Sequence, residues 1–367
     1  MRNERSSPAT GVSSKLSPAS TAPATAWVAS LSPWPEDFGL DRMRRLLERL
    51  GHPERRYPAI HVVGTNGKST ATRTVAALLL AEGRRAGAYT SPHVSGWDER
   101  IWIGGGEADF ERAVARIRPH AEALGATQFE ALTAAALAEF AERQVDVAVV
   151  EAGLGGRLDA TNVVDAEVVL LTNVSLEHTE VLGDTPEQIA KEKLAVAHAA
   201  RVVVVSDNTY ANLIPNSARI VTGGAREAAE AYLGRAATAE PEIYLAGRLE
   251  RRGRELRDGA HNAAGTAWLR AHAGGTYDVV VASILADKAV DAMLADLAEL
   301  APAIIATQST NRRAFPAEEL ARRARAHFED VATEPDPKRA LARARESTRG
   351  GILVTGSLYL LADLAAS

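Results

Sequence analysis

From Leu40 onward, apolar residues fall at helical spacing, with Leu40, Met43, Leu46, Leu47 and Leu50 on one side of LDRMRRLLERL and Gly51 as a stop. This spacing predicts an amphipathic helix. The next apolar run, AIHVV at 59–63, is short and continuous, as a strand covered on both faces requires. A glycine turn follows, and then the helical run TVAALLLAEG ending at Gly83. Further strands are predicted at 145–150 and 168–171, with the alanine-rich segment 129–143 as a helix before the first of them. RVVVVS, after Lys193, reads as another short strand. The polar, alanine-rich stretch from there to about Pro241 has no clear period, and the domain boundary is placed in it. Beyond it, strands near 279–281, 304–307 and 352–355 alternate with helical segments. Alternation of this kind predicts α/β architecture, with mostly parallel sheets between helices.

Length and composition narrow the picture. A chain of 367 residues exceeds one ordinary core, so two domains are expected, at 27–240 and 241–367. Residues 1–26, rich in Ser, Pro, Ala and Thr, are expected to form a disordered tail. The absence of cysteine excludes disulfides, thiolate metal sites and a cysteine nucleophile, leaving oxygen and imidazole ligands suited to hard cations such as magnesium. A net charge of -5 gives no general attraction to nucleic acid, and the expected partner is a small molecule. No apolar run approaches the roughly 20 residues that cross a bilayer, and the first 25 residues lack a secretory apolar centre. A cytoplasmic location is expected.

Candidate chemistry begins at the turn Gly64, Thr65, Asn66, Gly67, Lys68, Ser69 and Thr70. Strand, glycine turn and helix N-terminus together suit an anion, with Lys68 on nucleotide phosphates and Ser69 or Thr70 on phosphate-bound magnesium. Val62 stands where the eight-residue phosphate-loop pattern has its first glycine, and a polar helix cap is the plainer reading. Glu151 ends an apolar run, and His178 lies just past another. Both therefore fall at strand C-termini, where open α/β sheets bind ligands and where the two side chains could converge. A solvated strand end and a surface histidine are the alternatives. The glycines after Glu151 favour close ligand approach. Lys191 and Lys193 flank Glu192 in a helix starting after Asp184-Thr185-Pro186, and spacing alone does not separate a catalytic lysine from a solvated charge run. Asp258, His261 and Asn262 gather at a glycine turn, and Arg248 offers either a bidentate anion contact or a surface ion pair.

Taken together, GTNGKST, TSPHVSGWDERI, FEALTAAAL, EAGLGGRLDATNV, LEHTEVLGDTPEQIAKEK, AGRLE and DGAHN resemble the folylpolyglutamate/dihydrofolate synthase branch of the Mur ligase superfamily, from about Trp27 to the C-terminus. The resemblance implies a Mur-ligase-like central ATPase domain followed by a C-terminal Rossmann-like α/β domain, with ATP and a folate-like acceptor between them. Ser91, Glu151 and His178 correspond to magnesium ligands, joining Ser69 of the turn, and Lys193 to a lysine carbamylated in this family. Arg248, Asp258 and His261 match motifs that contact ATP and complete the active site, while Asp159 and Ala160, with Ser91 and Pro92, fall to the acceptor site. The implied catalytic set is Lys68, His178, Lys193, Asp258 and His261.

The implied reaction belongs to folate biosynthesis: ATP and magnesium, with a monovalent cation as a further candidate, activate the carboxylate of dihydropteroate or a reduced folate for attack by L-glutamate. A monomer is expected. The sequence departs from the family pattern at three points. Ser69 directly follows Lys68, the stretch 201–246 is short and lacks the family's His-Gln and Asn motif, and Ala263 stands where proline is usual. A Mur-type ligase with another carboxylate acceptor, and a non-catalytic nucleotide- or folate-binding homologue, are the competing readings.

Overall fold

In the computed structural model of the chain, which describes residues 22–35 and 37–365, two sheets follow one another along the sequence. The first contains β1 (Ala59–Val63), β2 (Ala86–Tyr89), β3 (Ile101–Ile103), β4 (Gly106–Glu107), β5 (Val147–Glu151), β6 (Ala166–Leu171), β7 (Val202–Val205) and β8 (Arg219–Thr222). Their spatial order is β4-β3-β2-β5-β1-β6-β7-β8, with β3 antiparallel to both its neighbours and every other pairing parallel. The second contains β9 (Glu250–Arg252), β10 (Glu255–Arg257), β11 (Val279–Ala282), β12 (Ala303–Ala306), β13 (Asp330–Thr333) and β14 (Ile352–Thr355), ordered β13-β12-β11-β14-β10-β9. Only β9 runs against its neighbour.

The strand period of two explains how one sheet serves two cores. Val147 and Val149 of β5 point to the face covered by helices Lys68–Ala81 and Ala225–Leu233, while Ala148 and Val150 point to the face covered by Phe110–Leu124 and Gln128–Glu142. The second sheet is filled in the same way, Val280 and Leu353 facing Leu294 and Leu320, Val281 and Val354 facing Leu341 and Leu360. Val94, from the loop after β2, is buried within this second-sheet core beside Gly247, so the first unit contributes a side chain to the other.

The chain leaves β1 toward β2 on one side and later continues through β6, β7 and β8 on the other, which puts a topological reversal at β1. Ligands of open α/β sheets bind at such a reversal, beyond the strand C-termini. The ends of β2, β5, β1 and β6 therefore stand side by side, and each delivers a polar residue there.

Two expectations are corrected. The tail does not extend to residue 26, because Ala24–Ser30 is helical with Ala24, Trp27 and Val28 buried. Arg118 lies over the Trp27 ring and donates to the Ala22 carbonyl, and Gln128 donates to Val28 O at 3.0 Å. Residues 1–21 lie outside the described residues. The stretch before Pro241 without a clear period contains β8 and the helix Ala225–Leu233. That strand is an edge whose side chains are mostly exposed, so burial left no alternation to read.

Phe140 is fully buried against Tyr57 and fills the space a side chain at Gly87 would need, a Cβ there lying 2.6 Å from Phe140 Cδ1. Phe140→Ala should lower stability by about 3–5 kcal/mol, measured by urea denaturation. A loss below about 1 kcal/mol would show that this core is not closely filled.

Candidate active site

The glycine turn after β1 leads into the helix Lys68–Ala81, whose N-cap Gly67 takes a left-handed φ of 78°. That conformation suits glycine, and it aims the helix N-terminus into a cleft of about 1420 Å³ lying between the two sheets' units. The first-turn N–H groups have no intrahelical acceptor and form an anion site. The turn itself is held from behind by β6. Thr65 N donates to Asn173 O at 3.0 Å, and Asn66 N donates to Asn173 Oδ1 at 2.9 Å. Asn66 O accepts from Thr172 Oγ1 and Asn173 Nδ2. The backbone donors of Thr65 and Asn66 are thus committed to Asn173, and the N–H groups at the helix start, Gly67, Lys68, Ser69 and Thr70, are the ones placed to receive an anion. Gly64 does not line the cleft. It lies beneath the turn, where a Cβ would overlap Thr172 Oγ1.

Glu151, at the end of β5, is 1% exposed. Its Oε1 accepts from Ser69 Oγ at 2.9 Å, and its Oε2 accepts from Ser91 N, beyond β2, at 2.9 Å. Burial pushes its pKa up to about 7, against the Lys68 charge and these hydrogen bonds, which act to lower it. Ser91 O lies 3.4 Å from Ser69 Oγ. Glu151, Ser69 and Ser91 thus make a compact set of hard oxygen donors, which fits a small divalent cation completed by phosphate oxygens.

His178 lines the same cleft, beside two glutamates. Its ring nitrogens lie 3.8 Å from Glu177 Oε1 and 3.7 Å from Glu180 Oε1, and among the described residues no three His, Asp or Glu side chains gather to hold a metal. Burial lowers its pKa. Lys193 is 4% exposed, and its Nζ donates to Gly64 O at 2.8 Å. Burial first, then the Lys68 charge, lowers its pKa to about 7 despite Glu177 and Asp159. Lys68 Nζ donates to Thr65 O at 3.0 Å, folded over the turn.

The glycines after Glu151 serve packing first. A Cβ on Gly156 would lie 2.6 Å from Lys193 O, so this loop runs directly against the helix Pro186–Leu194. Asp159 braces the same loop, Oδ2 accepting from Leu154 N and Oδ1 from Thr161 N. Ala160 and Pro92 line the cleft beside it.

The second unit brings Arg248, Asp258 and His261 to the opposite wall. Asp258 is a brace as well: its Oδ2 accepts from Leu249 N and its Oδ1 from Ala260 N, both at 2.9 Å. His261 Nδ1 donates to Gly259 O at 2.9 Å, which leaves Nε2 facing Glu177 Oε1 at 3.6 Å. Asn262 caps the helix Ala263–His272 through Oδ1, while its Nδ2 donates to Asn66 Oδ1 at 3.0 Å. That bond joins the phosphate turn to the second unit.

Sequence reading missed Glu177, Asn173 and Lys288. Glu177 lies within 4 Å of His178, His261 and Lys288. Burial opposes its ionisation, yet the His261 hydrogen bond and charge, with Lys68 and His178, hold its carboxyl down at about 2. Its only signal was adjacency to His178. Asn173 could have been found as a polar residue directly after the run VVLLT.

The chain matches the Mur ligase middle domain family over residues 62–243. The Mycobacterium tuberculosis dihydrofolate synthase/folylpolyglutamate synthase is 30% identical to it, with 89% of each chain covered. Among solved structures, Escherichia coli FolC in complex with DHPP and ADP superposes with a TM-score of 0.81 at 26% identity, covering 94% of this chain and 97% of that one. A bifunctional folylpolyglutamate synthase/dihydrofolate synthase with Mn, AMPPNP and L-glutamate bound gives 0.79 at 28% identity, with 94% and 98% covered.

A carboxyl whose pKa rises on folding binds its proton more tightly in the folded state, so its contribution to stability falls as pH climbs from its usual 4.5 through about 7. Without nucleotide and divalent metal, Glu151→Gln should therefore gain stability relative to the parent protein between pH 5 and pH 8. The expected gain is on the order of 3 kcal/mol, read from denaturation midpoints. A difference that does not change with pH would contradict the buried charge.

Proposed function

Because the chain belongs to the dihydrofolate synthase/folylpolyglutamate synthase family of Mur ligases, ATP-dependent enzymes that add L-glutamate to folates, we propose a role for each residue around the cleft. The single observation that carries the reading is the meeting, in one cleft, of a phosphate turn, a buried oxygen cluster and the second unit's Arg248, Asp258 and His261. The first unit, from the helix Ala24–Ser30 to residue 240, forms the nucleotide-binding domain, and the second, from 241 on, the ligase domain that closes on it.

The helix start at Gly67–Thr70 and Lys68 receive the triphosphate, and Lys68 swings from Thr65 O to the transferring phosphoryl group. Glu151, Ser69 and Ser91 hold magnesium, which when bound offsets negative charge on the phosphates. The acceptor carboxylate attacks the γ-phosphorus and releases ADP, giving an acyl-phosphate. The amine of glutamate then attacks the acyl carbon and expels phosphate. His178 and His261 flank Glu177, and this group handles the proton the amine sheds.

Lys193, poised near neutrality, is the amine able to take up carbon dioxide with loss of a proton; the resulting carbamate adds an anion facing Lys68. Asp159 positions the acceptor loop, with Ala160, Ser91 and Pro92 against the pterin portion. Arg248 reaches the nucleotide phosphates, and Asp258 fixes its loop. The acceptors are dihydropteroate and reduced folates. The protein acts as a monomer on small molecules in the cytoplasm. No described helix is long and apolar enough to cross a membrane.

Phosphate release from ATP with magnesium and L-glutamate should require dihydropteroate or tetrahydrofolate. Lys68→Ala should lower kcat by about 10²–10³-fold. Release with dihydropteroate alone would assign the first glutamate addition, and release with tetrahydrofolate would assign chain extension. No release with either acceptor, from folded protein that binds ATP, would overturn the folate assignment.

A further inference from the structure

Several aromatic side chains of the cleft have no role in the chemistry above, and among them Trp268 stands on the second unit's capped helix. Trp268 lies on the helix Ala263–His272 and is 50% exposed, although a large indole in a well-packed unit is ordinarily covered. Its exposure is directed. Ala264, Gly265 and Trp268 all line the cleft, and their three- and four-residue spacing puts them on one helix face, turned away from buried Thr266. One turn further, His272 stacks on the indole with ring centroids 4.2 Å apart and planes 13° from parallel, and its Nδ1 donates to Trp268 O at 2.7 Å. One indole face is therefore backed and its tilt is fixed. The other is open.

The position of this platform follows from the interdomain bond. Asn262 caps the same helix and donates to Asn66 of the phosphate turn. Six residues of helix separate Asn262 from Trp268, a rise of about 9 Å. A ring resting on the indole would thus lie well past the phosphate turn, at the distance at which a nucleotide's base follows its phosphates. Ala264 and Gly265 carry almost no side chain, so the intervening sugar can cross that turn of helix unobstructed. The facing wall holds Ala71 and Thr74 of the phosphate-turn helix and Ala225 of the helix packed beside it, all small and all lining the cleft.

We propose that Trp268, backed by His272, is the platform on which the nucleobase of ATP stacks, making it a nucleotide-positioning residue supplied by the second unit. The proposal rests on the ATP-dependent reading of the cleft. It also means that the base bridges the two units, because the phosphates are held by the first and the ring by the second.

The test compares three ligands on purified full-length protein by calorimetry: ADP, ATP with magnesium, and inorganic tripolyphosphate, which has the phosphates but no base. Trp268→Ala should weaken ADP and ATP about 10-fold to 100-fold, the range for loss of one base-aromatic stack. Tripolyphosphate affinity should stay within about twofold. Trp268→Phe should restore most of the lost affinity, and ADP should quench tryptophan fluorescence in the parent protein more than in that variant. Unchanged ADP affinity in Trp268→Ala would overturn the proposal, as would equal weakening of ADP and tripolyphosphate, which marks general damage. If the parent protein binds neither ATP nor ADP, the ATP-dependent reading fails before the platform is in question.

Discussion

A single buried carboxylate ties the site together. Glu151 ends the fifth strand at 1% exposure, and its two oxygens are divided between the hydroxyl of Ser69, on the phosphate-turn helix, and the backbone N–H of Ser91, beyond the second strand. Three chain segments distant in sequence are thereby fixed to one group. A carboxylate this deep is costly to ionise, and the Lys68 charge, the two donors and the Arg248 charge offset the cost only in part. The same arrangement prepares it for a cation, since a divalent ion would supply the positive charge that the fold leaves short. Parallel strands make this possible, because they bring several C-terminal ends to one edge of the sheet.

The second constraint is the seam. The glycine turn after the first strand is fastened on one side by Thr172 and Asn173 and touched on the other by Asn262 of the second unit. Glu177 extends this seam, with His261 and Lys288 of the second unit within 4 Å of it. Val94 crosses in the other direction, into the core under Leu360 and Leu361. Binding in the cleft and the relative placement of the units therefore depend on the same residues, as a reaction that must keep water from an acyl-phosphate requires.

Much of this was legible in the residue pattern. Continuous apolar runs marked the central strands at 59–63 and 352–355 to the residue, because strands buried on both faces need apolar side chains throughout. The pattern was silent where burial is partial or a neighbour supplies the bulk. In the second strand, AGAY, Gly87 leaves its space to Phe140, and the hairpin at 250–257 is built on charged residues, Glu255 pairing with Arg257 at 2.8 Å.

At the site, motif position found Lys68, Ser69, Ser91 and Glu151, which the fold brings into contact or one wall. His178 lines the same cleft as Glu151, with its Nε2 3.8 Å from Glu177, a neighbour that spacing did not single out. Asp159 and Asp258 were read as ligand groups, yet both carboxylates are occupied by backbone donors. Such bracing depends on loop geometry that no local spacing encodes.

The central claim is that this cleft activates a carboxylate by phosphorylating it. Dihydropteroate labelled with ¹⁸O in its carboxylate, incubated with ATP, magnesium and L-glutamate, tests that claim directly through mass spectrometry of the released phosphate. An acyl-phosphate route predicts one ¹⁸O atom from the carboxylate in each phosphate formed. Phosphate without label, or label appearing in AMP, would contradict it.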